Sequence, residues 1–107
     1  MQESNFVGLF GNSPFVKILD AFIDNIGSDY SKKEIQELAG ISKAALFQHW
    51  HKLENLELVK ITREFGNTKL YTLNRENKLV QDLLKFEMQL IEQSSPKLVV
   101  IAQNKRK

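Results

Sequence analysis

The stretch SKAALFQHWHKLENLELV, residues 42–59, decides how the rest of the chain is read. Wound at about 100° per residue, it divides into two faces. Ala45, Leu46, His49, Trp50, Leu53 and Leu56 fall on one arc, and Lys43, Ala44, Phe47, Gln48 and His51 fall on the other, with Lys52 at its edge. The first arc belongs to a core, and His49 sits in the middle of it as a hydrogen-bonded core residue. The second arc, cationic and polar around one aromatic ring, is left for a partner outside the domain. Ser42 stands just ahead of the periodic run, where its hydroxyl can accept from N–H groups of the first turn.

Upstream, Gly40-Ile41-Ser42 forms a three-residue turn after a short segment that opens with Ser31-Lys-Lys-Glu34. That opening is a capping box, with the serine oxygen and the glutamate each taking a free N–H of the other. Ile35, Leu38 and Ala39 give the short helix its buried side, and Gly40 stops it. Two capped helices joined by a tight glycine-containing turn make a helix-turn-helix signature. Further back, Ser13-Pro14 is a helix start. Phe15, Leu19, Phe22 and Ile26 line one side of that helix, opposite Lys17, Asp20 and Asp24, and Gly27 ends it. Residues 1–12, with Phe6, Val7, Leu9 and Phe10, are too short for a firm helix and read as an arm that needs a surface to cover.

Downstream, apolar and polar residues alternate over 58–63 and 70–73, and Glu64-Phe-Gly-Asn-Thr68 lies between them. This predicts a β-hairpin in which Gly66-Asn67 supplies the positive φ angles of the tip. Asn74 is placed to cap a last helix in which Leu79, Leu83, Phe86 and Leu90 repeat like a coiled-coil seam. A second row, Val80, Leu84 and Ile91, widens the stripe, so one row is expected on the domain and the other on a second copy. Ser94-Ser95-Pro96 breaks that helix. Residues 97–102 are a short β-prone run that can pair with the arm, and Lys105-Arg106-Lys107 is a basic end.

A length of 107 residues suits one small domain. The net charge of +2 points nowhere, but its distribution is uneven: residues 1–40 carry three positive and six negative side chains, residues 41–75 six and three. Positive charge therefore begins with the quoted stretch. No cysteine is present, so disulfides and thiolate metal sites are excluded. No apolar run reaches membrane-spanning length and MQESNF lacks the pattern of a signal peptide, which leads us to expect a soluble, cytoplasmic protein. The two histidines, 49 and 51, are aimed to different sides of one helix, which argues against a shared metal. No phosphate loop or nucleophile–base pair stands out, so neither an enzyme nor a cofactor is expected.

The order helix, helix, helix, two-stranded wing, helix is that of a winged helix-turn-helix: mainly α, with a small β-hairpin wing. Gly40-Ile41-Ser42, His49 seven positions after the serine, Leu53 four beyond it and the strand opening Leu58-Val59 resemble the archaeal winged-helix transcriptional regulators related to the ArsR and MarR groups. Leu9-Phe-Gly-Asn-Ser-Pro14 and Lys69-Leu-Tyr-Thr-Leu-Asn74 extend that resemblance over roughly residues 9–93. Glu57 stands where those families commonly carry glycine, which implies a different turn geometry there.

The resemblance implies a sequence-specific regulator of double-stranded DNA acting as a homodimer. It divides the chain into an arm (1–12), a DNA-binding domain (13–74), a C-terminal dimerisation helix (75–93) and a tail (94–107). Candidate DNA contacts are Ser31 and Lys32 on the short helix, Ser42, Lys43, Ala44, Phe47, Gln48, His51 and Lys52 on the recognition helix, and Arg63, Asn67, Thr68 and Lys69 on the wing. Gln48 can make two bonds to adenine, Lys43 can reach a phosphate or guanine, and Phe47 a thymine methyl. Candidate dimer contacts are Leu79, Val80, Leu83, Leu84, Phe86, Leu90 and Ile91. Two other readings stand beside this one: a protein-interaction module using Phe47, and an accessory factor that coats DNA with little sequence preference.

Overall fold

The computed structural model describes residues 4–94. The predicted 97–102 strand and the basic end lie outside them. Five helices and one hairpin follow in the order α1 (Asn5–Phe10), α2 (Pro14–Asp24), α3 (Lys32–Ala39), α4 (Lys43–Asn55), β1 (Val59–Phe65), β2 (Thr68–Leu73) and α5 (Lys78–Ser94). No helix among the described residues is long and apolar enough to cross a membrane.

The caps at Ser13, Ser31 and Ser42 form as read: each hydroxyl accepts an N–H three residues on, and the Ser31–Glu34 box is closed in both directions. The core they organise is continuous. Ile18, Leu19 and Phe22 of α2, Ile35 of α3, Leu46, Trp50 and Leu53 of α4, Leu58, Tyr71 and Leu73 of the hairpin and Val80 of α5 are all buried in it. Removing one such side chain, Leu53→Ala for example, costs about 2–5 kcal/mol.

Several expectations need correction. The arm is a helix, capped by Ser4, whose hydroxyl accepts from the Val7 N–H and donates to Asp20 Oδ1 at 2.7 Å. Six residues hold no helix alone; α1 is held because Phe6 enters the core and Phe10 lies 5.7 Å from Phe86 of α5. The second helix ends at Asp24, capped by Asn25, two residues before its expected end. Leu38 is half exposed, so α3 is anchored in the core by Ile35, with partly buried Ala39 packed against it. On α4, Leu56 is exposed because it is already the C-cap, and His49 is only half-buried, its ring 6.5 Å from Phe15. The last helix begins at Lys78, where the Asn77 side chain, and not Asn74, accepts the Leu79 N–H. Asn74 instead donates to the Glu57 carbonyl.

Glu57 carries the turn that closes α4. Its φ is +56°, its N–H donates to Glu54 O, and the Leu58 N–H reaches back to Leu53 O, closing the helix as a Schellman motif does. A glutamate is held in the left-handed region by bonds to its carbonyl from Asn74 and Asn77.

β1 and β2 pair antiparallel through Val59↔Leu73 and Ile61↔Tyr71, then Arg63↔Leu70 and Phe65↔Thr68. Thr62 is therefore an extra residue, a bulge that the simple alternation did not reveal. At the tip only Gly66 takes a positive φ, the pattern of a type II′ turn, and Asn67 does not. A backbone bridge from Tyr30 to Tyr71, with N···O distances of 2.8 and 2.7 Å, ties the hairpin to the segment before α3.

Candidate nucleic-acid interface

The partly exposed side of α3, the outer face of α4 and the wing tip meet in two adjoining clefts. Ser31, Lys32, Lys33, Asn67, Thr68, Lys69 and Tyr71 line the first, about 390 Å³ between the start of α3 and the tip of the wing. None of those lining residues is acidic. The second, about 360 Å³, runs between α3 and α4 and is lined by Lys32, Lys33, Gln36, Glu37, Lys43, Leu46 and Phe47. Lys32 and Lys33 belong to both because the capping box places them in the first turn of α3.

Lys32 is held at the junction. Its ammonium lies 5.6 Å from the Phe47 ring centre, 5.3 Å from Trp50 and 5.9 Å from Tyr71. Trp50 and Tyr71 are themselves locked edge to face at 4.9 Å. Each such cation–ring contact at a half-open site contributes about 0.5–1 kcal/mol, so the charge is steered to this place. Lys43 also lies near Phe47, its ammonium 5.8 Å from the ring centre. Phe47, 46% exposed, thus has two cations beside it on the surface. It is not covered by the N-terminal segment, since α1 packs on α2 and α5.

Ala44, Gln48 and His51 are exposed along the same face of α4. Ser31 and Ser42 have their hydroxyls engaged in caps, so they shape the interface through the helix ends. Lys52 is turned toward α2, its ammonium 4.5 Å from the Phe15 ring centre, at the margin of the face. On the wing, Asn67, Thr68 and Lys69 line the cleft; Glu64 stands opposite Lys69 on the same side of the hairpin. Burial first, and then the charges of Glu54 and Glu64, raise the Tyr71 phenol above its ordinary value, so the hydroxyl beside the cleft is neutral.

Arg63 departs from the expectation. The bulge at Thr62 turns it to the side of the hairpin away from Tyr71, where it forms two parallel bonds with Asp29, Nε to Oδ2 and Nη2 to Oδ1, both 2.9 Å. The guanidinium bond, and after it the Thr62 bond, hold the Asp29 carboxyl down at about 2. Lys33 and Gln36 are the residues the sequence reading missed. Lys33 was legible, since it follows Lys32 in the first turn; Gln36 shows itself only once α3 and α4 are seen side by side.

Among the described residues, no group of three or more His, Asp or Glu side chains is arranged to hold a metal. No protein-family model matches the chain, and no curated protein matches it by sequence. Solved structures do match. The chain is similar to the heme sensor protein PefR from Streptococcus agalactiae in complex with heme, at 12% identity and a TM-score of 0.54, covering 94% of this chain and 76% of that one. It is also similar to Bordetella bronchiseptica BpsR, whose DNA binding is regulated by 6-hydroxynicotinic acid, at 17% identity and a TM-score of 0.51, covering 95% and 80%. The fold is the winged helix-turn-helix. Within it, α3 and α4 form the helix-turn-helix and β1–β2 the wing.

Proposed function

We propose that the protein is a transcriptional regulator that binds double-stranded DNA as a homodimer. The observation that carries this reading is that Lys32, Lys33, Lys43 and Lys69 border two adjoining clefts, which share Lys32 and Lys33, beside the exposed side of α4. In this reading α4 enters the major groove, where Gln48, Lys43, Phe47 and His51 meet base edges. The start of α3 and the wing tip, through Lys32, Lys33, Asn67, Thr68 and Lys69, take phosphates or the minor groove. The likeness to a protein whose DNA binding is regulated supports the same direction.

Dimerisation is assigned to α5 and α1. Val80 is buried, and Leu83, Leu84 and Leu90 pack on the domain, whereas Leu79, Met88 and Ile91 of α5 and Leu9 and Phe10 of α1 are exposed. The two expected rows thus divide differently, with Leu79, Met88 and Ile91 left for a partner. Two copies joined there present two recognition helices to half-sites about one duplex turn apart.

The test is Lys43→Ala with Gln48→Ala. Both side chains are exposed, so the fold is retained and gel-shift affinity drops; unchanged affinity overturns the assignment of this face. Sedimentation at micromolar concentration reads the dimer, and a clean monomer removes the paired half-sites. One observation favours a second reading: Phe47 is half exposed at the centre of the face, as an aromatic anchor for a protein partner is. Absence of duplex binding with intact folding selects that reading.

A further inference from the structure

We propose that Asp29, in the turn between α2 and α3, is the positioning residue that sets the wing against the recognition helix, with Arg63 as its strut and not as a phosphate ligand. The functional half of this rests on the DNA-binding reading above. Residues 28–31 bind the hairpin and α3 one after another. The Ser28 carbonyl accepts from Thr72 Oγ1 at 3.1 Å, Asp29 accepts from Thr62 and Arg63, and Tyr30 exchanges both backbone bonds with Tyr71. Ser31 then caps α3, whose first turn carries Lys32 and Lys33.

The Tyr30–Tyr71 bridge and the Thr72–Ser28 bond hold the inner half of the hairpin. Asp29 supplies a further attachment, closer to the tip, on the face away from the Tyr71 side chain. It exists because the bulge at Thr62 brings both Thr62 and Arg63 to that side. Two parallel charge-assisted bonds fix orientation as well as distance, which a single hydroxyl bond does not. The Asp29 side chain is 18% exposed and Arg63 58% exposed, so the acid is the seated member and the arginine is drawn to it. A rigid wing keeps Asn67, Thr68 and Lys69 at a set distance from α4, and that distance is what one half-site reads.

The experiment compares the full chain with D29N and R63Q on a duplex selected from random sequence and on random duplex, over a range of salt. For D29N, selected-duplex affinity is expected to fall about two- to fivefold, as loss of a bidentate pair at an exposed site implies, while random-duplex affinity is held or raised. R63Q is expected to leave the salt slope unchanged. Minor-groove protection from hydroxyl radicals should weaken at the wing while major-groove methylation protection under α4 persists; a general loss of structure would weaken both together. A slope smaller by about 0.9 for R63Q makes Arg63 a phosphate ligand and overturns the proposal, as does unchanged selectivity in D29N. Amide exchange in the free protein reads the strut without DNA. Residues 63–70 should exchange several-fold faster in D29N with α2 and α4 unaltered, and unchanged exchange there overturns the strut. Failure of the wild-type chain to bind any duplex overturns the DNA reading separately.

Discussion

Lys33→Gln together with Lys69→Gln removes two charges from opposite walls of the cleft between α3 and the wing. Each phosphate neutralised by a lysine releases about 0.9 counterion, so at roughly 0.1 M salt it contributes about 1.2 kcal/mol to binding. Two lost contacts come to about 2.4 kcal/mol, or about 60-fold in affinity per protomer, falling to about 3–4-fold near 0.5 M salt. The slope of log affinity against log salt should therefore shrink by about 1.8. Fluorescence anisotropy of a labelled duplex over this salt range reads both quantities. Lys33 and Lys69 are exposed, so thermal unfolding should not move, and Lys85→Gln, a single charge removed from exposed α5 surface outside the cleft lining, serves as the control. A variant with reduced affinity but an unchanged slope, or a Lys85 control as damaging as the pair, refutes the phosphate assignment of this cleft.

Glu57→Gly should stabilise the protein. The left-handed φ of +56° costs a non-glycine residue about 1–2 kcal/mol, and glycine's greater unfolded-state freedom gives back about 0.5–1; a lower melting temperature contradicts this. Glu87 is 9% exposed, and its Oε2 has no partner among the described residues. Burial, then Asp20 and Asp24, raise its carboxyl above the ordinary 4.5. A raised acid binds more protons folded than unfolded, so this group's contribution makes the protein gain stability as pH falls from neutral toward about 4.5. Glu87→Met should remove that gain and raise stability at pH 7 by about 1–3 kcal/mol, checked by melts at several pH values. Phe47→Ala should leave stability within about 1 kcal/mol, since the ring is half exposed, and should lower partner affinity, a combination read by urea titration and binding together.

The helical frame was legible because its signals are local. Serine caps with their N–H partners three residues on, the Ser31–Glu34 box and the Leu46, Trp50, Leu53 spacing each depend on only a few neighbouring residues. What escaped was set by contacts distant in sequence. The six-residue α1 owes its existence to Phe86 and the core, and His49 and Leu56 carry the right spacing for burial but nothing packs over them fully. The bulge at Thr62 is invisible to an alternating pattern, because one inserted residue keeps both strands β-prone while reversing which side Arg63 takes. That reversal moved a candidate DNA contact into a bond with Asp29. Glu57 shows the converse: a left-handed backbone position that favours glycine is held by a glutamate through tertiary hydrogen bonds. On α4, by contrast, Lys43, Ala44, Phe47, Gln48 and His51 were readable as the outer face because helical period alone separates them from the core.

The most direct test of the account is anisotropy of the wild-type chain with a selected duplex and a random duplex at two salt concentrations. Tight, salt-sensitive binding that prefers the selected duplex is the expected result. Equal affinity for both sequences would contradict the specific reading, and no binding to either at low salt would contradict the DNA-binding interface itself.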